Sequence, residues 1–358
     1  MQERDIMSIN LHEAYSDTLN QAWLHNSYLK GKLNAPYSLE GVKSLTITSM
    51  ISQALNDYTR SGTERFGTLT EVQDTIQTLT MRKDRAWTKS LDRGNLSDQQ
   101  WVKKVADFLN LQLKQQVIPE QDKWGFRRLG FDAGYSVIQA AVSASNILGF
   151  IQTARTQMVN NGVPEDGRYL AIPSTYSNHL RNTTSFLTLD KIAQPVLTKG
   201  VIGMLYSFMV VEVPDAYFPT GLQFVCWHEL AGADPKKIDM MRALDNQRGV
   251  DGWVLEGHHY YDTFVIEQQA GSVFASVLAA NKTATPIITP TVASHAVTAV
   301  TGVTFKYTID GSDPRYSATA ITYASAVTLA SDVTIKVAGF TDADTKAISD
   351  VAEATYTA

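Results

Sequence analysis

The chain changes character at Thr283. From there to Ala358 it has no Trp, Met, Gln, Asn or Cys, and Leu329 is the sole leucine, while Ala, Thr, Val and Ser take over. Pro286 and Pro290 push Thr285 and Thr289 toward extended backbone, marking a linker into a separate all-β module. Within it, Val303-Thr304-Phe305-Lys306-Tyr307-Thr308-Ile309 alternates with period two, as does Val333-Thr334-Ile335-Lys336-Val337. Asp310-Gly311 supplies turn chemistry between strands. Roughly 70 residues of short strands fit a small sandwich. A chain of 358 residues accommodates this module and a larger body, as its length alone suggests.

The body reads as mixed α and β. Residues 1–40 are polar with scattered aromatics and form an arm. Val42 to Met50 and Thr70 to Leu91 carry β-branched alternation, separated by a stretch from Asp57 to Gly67 rich in Gly, Thr and charge. Two strands joined by a long polar excursion are marginal in water on their own, so this ribbon needs another surface to lie on. Ser97-Asp98-Gln99-Gln100 is a capping-box start, and Val102, Val105, Leu109, Leu113 and Val117 follow at helical spacing. If the helix continues with a kink through Pro119 to Trp124, Phe126 and Leu129, it spans about 30 residues, roughly 45 Å. A second amphipathic helix carries Ile147, Phe150, Ile151, Ala154 and Met158 and stops at Asn160-Asn161-Gly162. Strands are expected at Arg168–Ile172, Phe208–Val213, Leu222–Trp227 and Trp253–Ile266. Pro235–Leu244 is expected to be a short helix opened by its proline.

Hydrophobic residues at 44% and charged residues at 19% give a globular composition. The formal net charge of -5 lacks the basic excess of a protein that grips nucleic acid. The single cysteine, Cys226, excludes an intramolecular disulfide framework and a multi-cysteine zinc site. No apolar run approaches the ~20 residues of a membrane helix, and the polar start Met1-Gln2-Glu3-Arg4-Asp5 does not read as a signal peptide.

Catalytic patterns fail one by one. His228-Glu229 begins like a zincin motif, but Gly232 stands where the second histidine belongs. His258 and His259 are neighbours in a strand and point to opposite faces. Cys226, flanked by Phe224, Val225 and Trp227, reads as a small buried hydrophobe. Gly125, Gly130 and Gly134 are too sparse for a phosphate loop, and no Gly-x-Ser-x-Gly elbow occurs. Asp310 and Asp313 lack the remaining ligands of a calcium loop and suit Asx hydrogen bonds in a turn. Neither an enzyme nor a cofactor is expected.

The order arm, ribbon, long helix, mixed α/β resembles the Hong Kong 97 fold of tailed-bacteriophage major capsid proteins. Val117-Ile118-Pro119-Glu120-Gln121-Asp122-Lys123-Trp124-Gly125-Phe126 is similar to the end of that family's spine helix. Val163-Pro164-Glu165-Asp166-Gly167-Arg168-Tyr169 resembles the strand entry of its axial domain, and Gly200–Gly203 through Val210–Pro214 the strand that follows. Tyr260-Tyr261-Asp262-Thr263-Phe264-Val265 resembles the last strand returning to the peripheral domain. The resemblance implies an α+β chain: arm 1–40, extended loop and peripheral-domain strand 41–95, spine helix 96–135, mainly axial domain 136–256, return to the peripheral domain 257–282, and the module 283–358.

It also implies partners. The chain would assemble with itself as hexamers and pentamers of an icosahedral shell in the virion, formed in host cytoplasm with portal and scaffolding proteins. It would enclose double-stranded DNA by weak non-specific contact, with no membrane. Glu64, Glu71, Asp74 and Asp84 interleave with the basic residues, and such mixed signs suit ion pairs between subunits. Arg60, Glu64, Arg65, Arg82, Asp84 and Arg85 are the expected contact residues. With so short an arm, a large removable scaffold segment within this chain is not expected, nor is an isopeptide site.

Tyr307-Thr308-Ile309-Asp310-Gly311-Ser312-Asp313-Pro314, then Tyr323, Val333–Val337 and Thr355-Tyr356, is similar to the chitobiase C-terminal immunoglobulin-like module. That implies a fold rather than an activity. Seven acidic residues against four basic ones in this segment suit an outward, solvated module that meets a glycan or a host surface. Its self-contained strand pattern makes it expendable for shell closure. Rival readings are an encapsulin-type compartment shell, a secreted carbohydrate-active enzyme with an accessory β-sandwich, and a surface-layer or adhesin protein. The second would show a paired-carboxylate cleft, and the last two an export signal.

Overall fold

The computed structural model describes residues 26–33, 44–50, 52, 55–63, 65–67, 69, 71–72, 74–94, 105–181, 201–245, 247–291, 294–330, 332–341 and 345–355. The capping box at Ser97–Gln100 and most of the arm lie outside the described residues. The rest packs as two compact units. One contains Arg85–Ile118 and Met240–His258; the other is drawn from Ser27–Asp84, Pro119–Asp239 and His259–Ala358.

The larger unit is built on a six-stranded sheet. Its order is β4 (Tyr135–Ile138), β13 (Phe274–Val277), β8 (Leu222–His228), β5 (Arg168–Pro173), β7 (Phe208–Val213), β6 (Val201–Leu205). β5–β7 and β13–β4 are parallel pairs and the other neighbours antiparallel. Every residue of β5 and β8 is buried, as expected of strands covered on both faces, with Arg168, Gln223 and His228 as the polar residues among them. Alternate residues face opposite layers. Tyr169, Ala171, Val225 and Trp227 join Phe126, Leu129 and Phe131 of helix α2 (Ile118–Phe131) in one core. Leu170, Ile172, Phe224 and Cys226 join Ile147, Ile151, Ala154 and Met158 of α3 (Ile147–Asn160) and Leu180 of α4 (Ser174–Arg181) in the other.

The helix stops and starts follow local chemistry. α3 ends where Gly162 takes φ 69° and the amides of Asn161, Gly162 and Val163 return to Gln157, Val159 and Met158, satisfying carbonyls the helix leaves open. Before α2, residues Leu113–Val117 form a π segment in which the Ile118 amide reaches the Leu113 carbonyl. Pro119 has no amide to donate, and its ring collides with the carbonyl four residues back in a regular α-helix; the wider π turn eases that collision. The expected kink at this proline is therefore a π bulge just ahead of it.

In the smaller unit, α1 (Val105–Gln112) fully buries none of its side chains. Strands β3 (Lys83–Asp92), β10 (Lys236–Asp245) and β11 (Gly252–Tyr261) form a sheet of order β10-β11-β3. Trp87 of β3 lies over Gly257, where an added Cβ would sit 2.2 Å from the indole nitrogen. β10 corrects the helix expected at Pro235–Leu244. Its Met, Arg, Ala and Leu are good helix formers, but its backbone pairs with β11, and Arg242 holds Glu256 on that neighbour at 2.8 Å. Sheet pairing outweighs a local preference of a few tenths of a kcal/mol per residue.

Back in the larger unit, β1 (Ser44–Met50) and β2 (Asp74–Thr80) form an antiparallel ribbon. β9 (Gly232–Ala233) pairs with β12 (Phe264–Val265). The C-terminal segment contributes two small sheets. One has β14 (Ile288–Thr291), β15 (Ser294–Val297) and β18 (Val327–Thr328). The other has order β17 (Ile321–Thr322), β16 (Val303–Thr308), β19 (Thr334–Thr341), β20 (Ala352–Thr355). Val297, Phe305, Leu329, Ile335 and Val337 form its own core.

Candidate interaction surfaces

The ribbon has one buried face. Register places Ile47 opposite Gln77 and Leu45 opposite Leu79, and Ile47 and Leu79 pack with Met81, Phe264 and Ile266. Gln77, also buried, donates to the Val265 carbonyl at 2.8 Å and accepts from the Glu267 amide at 2.9 Å, so a side-chain amide continues the hydrogen-bonding of the backbone it lies on. Asp262, fully buried, ties the far end: it accepts from Trp124 Nε1 at 2.7 Å, the Thr263 amide at 2.8 Å and the Arg82 amide at 3.0 Å. The base of the ribbon is thus fixed by side chains from α2 and from the β11–β12 corner.

The loop between β1 and β2 is built differently. The Thr59 amide donates to the Arg65 carbonyl at 3.1 Å, Arg65 Nε donates to Gly62, and the Tyr58 and Phe66 rings meet edge-on at 5.1 Å. Gly62 and Gly67 supply the positive φ its turns require. Around this frame, Met50, Leu55, Phe66, Leu69 and Val72 are 72–100% exposed, and no other large apolar side chain among the described residues exceeds 66%. A concentration of this kind marks an interaction site.

The sequence-expected contact residues fall into two groups. Arg60 and Arg65 lie exposed on the loop, while Arg82, Asp84 and Arg85 lie exposed beyond β2. Strand β2 separates the groups along the chain, and Glu64 lies outside the described residues. The apolar residues beside Arg60 and Arg65 were the stronger signal: large hydrophobes inside a Gly-, Thr- and charge-rich stretch have no core of their own to join.

Other candidates settle into structural work. His228 Nδ1 accepts from the Leu230 amide at 3.2 Å, capping a 3-10 turn. His259 is buried with Nδ1 2.6 Å from Asp239, whereas His258 is only part-buried. Cys226 is fully buried and its thiol pKa is pushed well up by burial. Asp310 accepts from the amide and hydroxyl of Ser312 and from Thr319 Oγ1, an Asx-type turn. No group of three metal-ligating side chains occurs among the described residues, and none of their helices is long and apolar enough to cross a membrane.

Two anchors had no sequence signal. Asp122, buried in α2, accepts from Ser27 Oγ and the Tyr28 amide, both at 2.7 Å, and burial raises its pKa. Leu29 then sits against Gly125, where a Cβ would meet its methyl at 2.3 Å. The second anchor is the loop Asp313–Thr319 of the C-terminal segment. Arg315, held by Asp313 at 2.7 Å, donates to the Gly134 carbonyl at 2.8 Å, and Tyr316 Oη donates to Asp132 at 2.6 Å. The Ile348 amide reaches the Phe131 carbonyl at 3.0 Å. The carbonyls left open where α2 ends are satisfied by donors more than 180 residues away in the chain.

Comparison with known proteins gives the fold. A solved structure from Mycobacterium phage Che8 matches with a TM-score of 0.60 and 20% identity, covering 75% of this chain and 97% of its own. The capsid structure of cyanophage P-SCSP1u matches with a TM-score of 0.58 and 11% identity, over 75% and 93%. The asymmetric unit of the bacteriophage PhiM1 mature capsid matches with a TM-score of 0.57 and 13% identity, over 75% and 92%. At these identities the likeness is one of fold. The family model described as Fn3 associated matches residues 296–356. No curated protein sequence matches the chain.

Proposed function

We propose that this chain, whose body has the Hong Kong 97-type capsid fold and whose C-terminal segment is an immunoglobulin-like module, is the major capsid protein of a tailed bacteriophage. Its role is structural rather than enzymatic. It assembles with itself, as hexamers and pentamers, into an icosahedral head around double-stranded DNA. The observation that carries this reading is the ribbon loop: a hydrogen-bonded frame that holds Leu55, Phe66 and Leu69 85–100% exposed. A subunit that stayed alone would gain nothing from ordering such a surface; one that lays it on a neighbour recovers about 25 cal/mol per Å² of apolar area covered. Helix α1, with no fully buried side chain, offers a second surface for a neighbouring copy. Many such modest contacts, closed by symmetry, suffice for a shell.

On this reading 41–95 is the extended loop and peripheral strand, 96–135 the spine helix, 136–256 mainly the axial domain, and 257–282 the return to the periphery. Portal and scaffolding proteins act during assembly in the host cytoplasm, and the net charge of -5 keeps contact with packaged DNA weak and non-specific. Deletion of residues 57–67 tests the proposal. The shortened subunit should fold and sediment as a small species where the full chain sediments as particles; particles from the deletion would overturn it.

A further inference from the structure

The capsid reading leaves the C-terminal module as an addition, and its separate core agrees with that. The seam between module and body does not. Strand β2 has β1 on one edge, and a free opposite edge would expose backbone groups. Ser317 and Ala318 occupy that edge: Ser317 forms an antiparallel bridge to Gln77, and the Ala318 amide donates to the Ile76 carbonyl at 2.7 Å. The next residues back, Arg315 and Tyr316, hold the carbonyls of Gly134 and Asp132.

These four consecutive residues therefore join the end of α2 to the side of the ribbon. The loop that carries them is stiff. Arg315 Nε and Nη2 hold both Asp313 oxygens, and the Tyr316 and Ser317 amides return to the Asp313 carbonyl at 3.1 and 2.9 Å. Gly134 is fixed in turn, because a Cβ there would lie 2.1 Å from the Ala270 carbonyl oxygen. A cation beside the carbonyl end of a helix also meets its dipole favourably. A second tether joins the end of the body to the module: Lys282 pairs with Asp350 at 2.6 Å, and the Ala347 amide reaches the Asn281 carbonyl at 2.9 Å.

We infer that the module is a clamp on its own subunit, with Arg315 and Tyr316 as positioning residues that hold Ser317 and Ala318 against β2 and so set the ribbon for docking on the neighbouring copy. This rests on the capsid reading for its last step only. On this inference the module is needed by the body: its strands close a core of their own, while its loop Asp313–Thr319 holds the helix end and the ribbon edge.

Hydrogen exchange on the purified full-length subunit separates the two claims. In Arg315→Ala/Tyr316→Ala, amides of 74–80 should exchange about tenfold faster or more, while those of Val303–Thr308 and Leu222–His228 stay protected. Should the double variant also lose protection in Val303–Thr308, Tyr316→Phe, which keeps the ring and removes one donor, must still accelerate 74–80. Unchanged exchange at 74–80 overturns the clamp. Faster exchange with fewer particles supports the whole inference, and faster exchange with wild-type particle yield overturns its assembly step. A wild-type chain that forms no particles overturns the capsid reading, and the exchange result still judges the clamp.

Discussion

The Tyr316 phenol donates to the Asp132 carbonyl at 2.6 Å, joining residues 184 apart in the chain. Tyr316 belongs to the segment whose composition marks it as separate, and Asp132 to the end of the body's main helix. The bond is part-buried, and burial pushes the phenol pKa upward, so the donor stays protonated across the working range of pH. Replacing Tyr316 with Phe leaves this part-buried carbonyl without its partner. The expected loss is about 0.5–1.5 kcal/mol, read as a lower denaturant midpoint with unchanged slope.

Glu267 lies at the same seam, where Oε1 accepts from the Asp313 amide at 3.4 Å. Burial first, and then the charges of Asp313 and Asp310, raise its pKa from 4.5 to about 6, against a lowering by that amide. The folded state therefore holds the proton more tightly than the unfolded one. The stability this contributes is full below about pH 4.5, falls as pH rises, and is gone above about 6. Glu267→Gln should flatten the dependence between those values and raise stability at pH 7, by less than the pKa difference alone implies because the carboxyl is only part-buried. Denaturation curves at pH 4.5 and pH 7 check the sign.

Asp122 predicts the behaviour of residues 27–33. It satisfies Ser27 Oγ and the Tyr28 amide, and the Lys32 carbonyl beyond them accepts from Trp227 Nε1 at 2.9 Å. Asp122→Ala should cost about 3 kcal/mol and open this segment to limited proteolysis. Asp122→Asn, which keeps one acceptor oxygen, should do less of both.

Local pattern was legible wherever packing agreed with it. The period-two runs at Val303–Ile309 and Val333–Val337 lie on β16 and β19, and the apolar stripe at Ile147, Ile151, Ala154 and Met158 faces a core. The pattern misled at Lys236–Asp245, where helix-forming side chains sit in a strand because β11 supplies the backbone partners. Pro119 signalled a disturbance, but nothing in the sequence placed the π turn at Leu113–Val117. The candidate surface was half legible: charges drew attention to Arg60 and Arg65, while Leu55, Phe66 and Leu69, large hydrophobes in a polar stretch, were the signal passed over, and the fold leaves them exposed. Arg315 gave no signal of its own, because its partner, the Gly134 carbonyl, carries no side chain to complement it.

The loop apolar residues offer a test that leaves the subunit intact. Leu55→Ser, Phe66→Ser and Leu69→Ser combined remove side chains that are 85–100% exposed, so subunit stability should shift by no more than about 0.5 kcal/mol per site. Assembly should fall sharply, since the triple variant loses the apolar area offered to a neighbour. Sedimentation velocity and a thermal melt on the same sample read the two effects separately.

The central claim is that this chain closes a shell. Negative-stain electron microscopy of the purified, full-length protein tests it most directly. Closed particles of uniform diameter are the predicted result. A field of monomers or open, irregular aggregates across assembly conditions, with the subunit folded by circular dichroism, would contradict it.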